Sequence, residues 1–317
     1  MNINNLISWS AAMLLVTLAW GVTACSNDAD PSPRDWTNHV PVNKDDSLAV
    51  AYIYKALDYQ KWRYEGTDSV VKAMITVDLE DYDTWRMFKL EERSGEMIVS
   101  GLDIDSENLP EGFIPDGFAF PLEFRLLQNL REVRINLSAE EGKEYTRYVA
   151  LPSIFDNPIE TLEISGERFG IAIPREIGKL GGTLRNLKIT HTNYSIIPDE
   201  MENLTLLNDE ADLTFNQFSG KVPYFPPGHP LRYCILSWNQ YTEMNWEYFR
   251  DDAMREDWRD PTQKCPYLLF NPLSGMIPQD IVDSKWWMAH HTSICSFRYY
   301  PAYGCFDNCK YCKKIQR

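Results

Sequence analysis

The sequence predicts an α/β fold: a solenoid of stacked coils with a parallel β-sheet on one face. Three observations predict it. An apolar line recurs, as Ile159, Leu162 and Ile164 and again as Leu184, Leu187 and Ile189. Each line is followed by a turn and an Ile-Pro pair, Ile173-Pro174 and Ile197-Pro198. Each then returns through a short helix-like run ending in Leu180 or Leu204. A strand of this kind has one inward face, and one coil cannot bury that face alone. Coils stacked about 4.8 Å apart can, because their leucines form one continuous core.

This grammar is a leucine-rich repeat. It extends upstream to Val99, Leu102 and Ile104, and to Leu130, Val133 and Ile135. Downstream it continues through Ala211 and Leu213, then Leu231, Cys234 and Leu236, then Leu268 and Leu273. That makes about seven repeats, more than the three or so that stability requires. Asn216, Asn239 and Asn271 follow the strand lines, where an amide can satisfy backbone groups of the turn and of the next coil. The wording from Asn216 to Pro223 and from Asn271 to Pro278 resembles the plant-type leucine-rich repeat family. With the segment before Cys25, the chain resembles the leucine-rich repeat surface lipoproteins of Bacteroidetes-type bacteria. That resemblance implies the fold over about residues 46 to 304 and says little about activity.

Residues 1–24 read as a lipoprotein signal peptide. Leu6 to Val22 is apolar, and Val22-Thr23-Ala24-Cys25 resembles a lipobox, although no Lys or Arg precedes the run. The resemblance implies that Cys25 is acylated and that the chain is lipid-anchored in the bacterial outer membrane, exposed at the cell surface. Residues 25–45 are polar, contain prolines and read as a flexible tether. Residues 46–96 read as an N-terminal cap. Leu48, Val50, Ile53, Tyr54 and Leu57 share a helical face, and Asp46 is placed to cap its start. The repeats occupy 97–280, with an insertion at about 241–264. Residues 281–317 form an aromatic C-terminal cap and a Cys-rich tail.

The net charge of −15 argues against nucleic-acid binding, which needs a basic stripe. No G-x-S-x-G, H-E-x-x-H or Walker-type loop is present, so no enzyme and no cofactor is expected. Cys305, Cys309 and Cys312 spell the cluster motif of radical S-adenosylmethionine enzymes. Those enzymes carry a barrel downstream of the motif, where only five residues follow here, so no such cluster is expected. Cys234, Cys265, Cys295, Cys305, Cys309 and Cys312 are candidates for disulfides, an even set with fifteen possible pairings. Free thiols remain open, as does a zinc site using His290 and His291 near Cys295.

Two columns face outward. The strand centres are Asp103, Arg134, Glu163, Lys188, Asp212, Ile235 and Tyr267, a ladder whose first five members alternate in charge. The turn column is Ser106, Leu137, Gly166, His191, Phe215, Trp238 and Phe270. Phe215, Trp238, Phe270, Ile235 and Tyr267 therefore form a candidate patch for an extracellular protein or glycan partner, unless the insertion folds over it. The alternative is a structural spacer or adhesin scaffold with no discrete ligand site.

Overall fold

The computed structural model describes residues 40–58, 77–139, 145–208, 211–226, 228–247, 249–250, 266–295 and 306–311. Residues 1–39, which hold the expected signal segment, Cys25 and most of the expected tether, lie outside them, as do Cys265, Cys305, Cys312 and most of the insertion. The last tether positions do not read as tether, because Val42 bridges Met97 and Lys44 and Asp45 already belong to the first helix.

Helix α1 (Lys44–Ala56) opens the described chain. Its cap is Asn43, whose side chain accepts from the N–H groups of Asp45 and Asp46. Asp46 is therefore not the cap. Its carboxylate points inward and accepts a 2.7 Å hydrogen bond from the Val99 N–H, tying the helix to the first repeat strand. Ala49, Val50, Ile53, Tyr54 and Leu57 form the buried face.

Strands β1 (Phe88–Arg93) and β2 (Glu96–Asp105) form an antiparallel hairpin. Its turn is Ser94-Gly95, both at positive φ, which suits the twist of a two-residue hairpin. The hairpin shields the edge of the sheet that the coils build. From β2 the sheet runs parallel through β3 (Glu132–Asn136), β4 (Thr161–Ser165) and β5 (Asn186–Thr190). The strands are in register: Leu102, Val133, Leu162 and Leu187 lie side by side, as do Ile104, Ile135, Ile164 and Ile189. All eight are buried. At about 1.5–3 kcal/mol for each fully buried side chain, these two rows are a main source of stability.

Beyond β5 the sheet thins to single bridges, Lys188 to Asp212, Asp212 to Ile235 and Ile235 to Tyr267. A second, smaller parallel pair forms lower in the coils, β6 (Ser219–Lys221) with β7 (Gln240–Glu243). The returning segments are 3-10 helices of four to eight residues rather than α-helices, as in Pro152–Asp156, Arg175–Gly182 and Asp199–Asn203. A proline starts the first and immediately precedes the other two, at positions where no backbone donor is needed. At the C-terminal end, α2 (Gln279–Val282) and α3 (Lys285–Ile294) close the stack. Trp286 and Trp287 of α3 are fully buried, and Trp246, Phe249 and Phe306 pack on them. The described start of the insertion thus packs into this cap.

Candidate functional site

The asparagines set the frame for the exposed columns. Asn216 Nδ2 donates to the carbonyls of Ile189 (2.7 Å) and Leu213 (2.9 Å), and its Oδ1 accepts from the Thr192 N–H (3.0 Å). Asn239 bonds Leu213, Leu236 and the Phe218 N–H in the same way, and Asn271 bonds Leu236, Leu268 and the Tyr241 N–H. All three are buried. Each amide joins its own turn to the coil before it, not to the coil after it. The reason is geometric: the amide lies under its own strand end and reaches the backbone of the preceding turn.

The residue before each asparagine, and before Thr192 at the equivalent position one coil earlier, sits in the left-handed region. His191, Phe215, Trp238 and Phe270 have φ of 55°, 56°, 58° and 63°. One coil earlier the position is Gly166 at φ 98°, where a Cβ would meet the Leu137 carbonyl at 2.2 Å. The turn is thus built for glycine, yet four later coils place rings there. Those rings stack in one row. Centroid distances are 4.4 Å from His191 to Phe215, 5.3 Å from Phe215 to Trp238 and 3.9 Å from Trp238 to Phe270, with interplanar angles of 11°, 11° and 16°.

The fold is a leucine-rich repeat solenoid. No family model matches the chain, and no curated protein matches it in sequence. Some solved structures are similar to it. A plant ice-binding protein is 18% identical over 74% of this chain and 66% of its own, with a TM-score of 0.44. The PEPR1–AtPEP1 structure is 13% identical over 75% of this chain and 30% of its own, with a TM-score of 0.43. The Arabidopsis receptor kinase HAESA, solved with the peptide hormone IDA and the co-receptor SERK1, is 18% identical over 77% and 44%, with a TM-score of 0.35. This chain therefore spans just under two thirds of the first and under a third of the second. These likenesses concern the fold alone.

The stacked row has a direct chemical consequence. Parallel rings turn their faces toward one another along the solenoid, so the interior members present edges, not faces, to solvent. A sugar ring that needs an aromatic face finds it already covered by the neighbouring coil. Phe215 and Tyr267 are well exposed, while Trp238, Phe270 and Ile235 are half-buried. What remains is an apolar, edge-on strip.

Beside the strip runs the charged ladder. Asp103, Arg134, Glu163, Lys188, Asp212, Ile235 and Tyr267 are paired strand to strand in one row. Arg134 bonds Glu163 at 3.3 Å and Glu132 at 2.5 Å. Burial raises the pKa of Asp103, and the facing Arg134 opposes that rise. The ladder is not fully self-satisfied. Lys188 stands between Glu163 and Asp212 but has no ion-pair partner among the described residues. Lys188 borders an open cleft of about 340 Å³, also lined by Ser165, Thr190, His191, Thr214 and Phe215.

Cys234, Cys295 and Cys309 are buried and form no disulfide with one another. Cys234 fills a core position of its coil, where burial pushes its thiol up to about 12. Cys265, Cys305 and Cys312 lie outside the described residues. Among the described residues no three His, Cys, Asp or Glu side chains are arranged to hold a metal. His290 and His291 instead turn Nδ1 to the backbone carbonyls of Trp286 and Met288.

Proposed function

We propose that this chain is a non-enzymatic binding protein that receives an extracellular protein partner along the strip formed by Phe215, Trp238, Phe270, Ile235 and Tyr267. In this reading Cys25 is acylated and anchors the chain at the outer-membrane surface. The observation that carries the reading is the row of aromatic residues in left-handed turn positions. A left-handed residue with a side chain costs about 1–2 kcal/mol, and a ring stack contributes about 0.5–1.5 kcal/mol. Four strained positions against three stacks leave no surplus, so stability alone gives no reason to prefer rings to glycine there. Apolar ring edges held rigid by their neighbours lose little entropy on binding, which suits a protein hot spot. Edge presentation favours a protein partner over a glycan.

A photo-crosslinking amino acid tests this. It replaces Phe215 in one version of the full chain and Arg175, on the returning side of the coil, in another. Both are displayed on cells and irradiated in a mixture of extracellular proteins. The reading expects a discrete adduct from position 215 and none from position 175. The stacked row equally stiffens the solenoid, which favours the spacer reading; the absence of an adduct at either position would support that reading instead.

A further inference from the structure

The C-terminal tail is held against the cap by several contacts that do not involve sulfur. Asn308 donates to the Ile277 carbonyl and accepts from the Ile277 N–H, each at 2.8 Å. The Asp307 N–H bonds the Gly275 carbonyl at 2.9 Å. Phe306 sits edge-on to Trp246 and Trp287. Tyr311 stacks on His291 of α3 with centroids 4.2 Å apart. One turn beyond His291, Cys295 closes α3, its N–H bonded to the His291 carbonyl at 2.7 Å. Two residues before Tyr311 lies Cys309. These contacts bring the two cysteines together, and their thiols lie in hydrogen-bond contact, both shielded from solvent.

We propose that Cys295 and Cys309 are the site of a disulfide that fastens the C-terminal tail to α3. An external disulfide, such as a low-molecular-weight thiol oxidant in its oxidised form, supplies the oxidising equivalents. One cysteine loses its proton and attacks that disulfide, expelling one thiol and forming a mixed disulfide. The other cysteine then displaces the second thiol. One protein S–S bond forms, the oxidant's S–S bond breaks, and both protons end on the two released thiols. The bond to Cys309 and burial together raise the Cys295 pKa. Oxidation is therefore slow in the docked state and proceeds when the tail loosens. Once formed, the bond is buried with the aromatic cluster and resists reduction. It also braces the coil that ends the aromatic row, because the Leu268 N–H bonds the Ser293 carbonyl of α3 at 2.8 Å.

The test uses the full chain, purified reduced and then incubated with oxidised glutathione. Free thiols are alkylated in denaturant, and the protein is cut with trypsin and with a protease that cleaves before Asp307. That second cut separates Cys309 from Cys305. The expected result is a linked pair of peptides containing Cys295 and Cys309, lighter than the two free peptides by two hydrogens. Recovery of both residues alkylated, or of either one joined to a different cysteine, overturns the proposal. Because the mapping is done on the unaltered chain, it does not depend on a variant folding. As a second readout, closing a loop of roughly 15 residues should raise the melting temperature by about 5 °C or more on oxidation. That rise should vanish in Cys309→Ser; its persistence there counts against this pair.

Discussion

Replacing Asn239 by Ala removes the middle rung of the asparagine row. The amide makes 2.9 and 3.0 Å bonds to the Leu213 and Leu236 carbonyls and accepts from the Phe218 N–H at 3.2 Å. The Ser237 carbonyl loses only a 3.3 Å bond and keeps the Phe215 N–H, and the other three backbone groups do not suffer equally. Leu213 keeps its bond from Asn216 and Leu236 keeps its bond from Asn271, both at 2.9 Å. Each carbonyl therefore loses only a net hydrogen bond, about 1 kcal/mol. The Phe218 N–H has no other acceptor among the described residues and is left buried without one, which costs about 1–3 kcal/mol. The sum is about 3–5 kcal/mol. Urea unfolding followed by circular dichroism should show a lower midpoint at unchanged slope. A loss below about 1 kcal/mol would refute the reasoning, since it would mean that the row does not hold coil to coil.

Two further predictions concern the N-terminal end and the turn column. Asp46 is buried against Val99, and desolvation raises its pKa from 3.8 to about 6, with Asp45 and Glu96 adding to the rise and the Val99 N–H opposing it. The folded state therefore binds this proton more tightly than the unfolded chain. Its stabilising contribution is present below about pH 4 and is lost as the pH climbs through about 6, a loss of roughly 3 kcal/mol. Asp46→Asn, which keeps an acceptor for Val99, should flatten that slope; melting temperatures at pH 4 and pH 7 check it, and an unchanged difference between the two would count against the assignment. Gly166→Ala should destabilise by more than the ~1 kcal/mol typical of a left-handed alanine, because its Cβ would fall 2.2 Å from the Leu137 carbonyl. Chemical denaturation of that variant measures it, and a change within error would mean that the turn relaxes.

Much of this fold is written into spacing. Leucines at fixed intervals can be buried only if neighbouring coils align, so the in-register rows at Leu102 and Ile104 and their partners follow from the sequence. The outward ladder from Asp103 to Tyr267 follows by the same period. Other features depend on geometry that spacing does not carry. The β1 strand, Phe88–Arg93, is largely polar, with apolar alternation only at Phe88 and Leu90, too short to announce it; only Ser94-Gly95 marks its turn. Asp46 has the chemistry of a cap, but Asn43 stands nearer the helix start, followed by two acidic residues whose N–H groups it binds. The stacking of His191, Phe215, Trp238 and Phe270 arises from left-handed backbone at residues that seldom adopt it. Gly166 in the same column was the available signal. That Lys188 lacks an ion-pair partner among the described residues was also invisible, because charge alternation implies neighbours but not contact.

The central claim is that a protein partner docks on the aromatic edge and not on the charged ladder. The most direct measurement compares the affinity of the crosslinked partner, once isolated, for Trp238→Ala and Glu163→Ala, with circular dichroism confirming that both variants are folded. Trp238 lies mid-row, with Phe215 on one side and Phe270 on the other, whereas Glu163 makes a partly exposed ion pair with Arg134. The account predicts a loss of about 2 kcal/mol for Trp238→Ala, about 30-fold in Kd, and under about 1 kcal/mol for Glu163→Ala. Equal losses from the two folded variants, or a larger loss from Glu163→Ala, would contradict it.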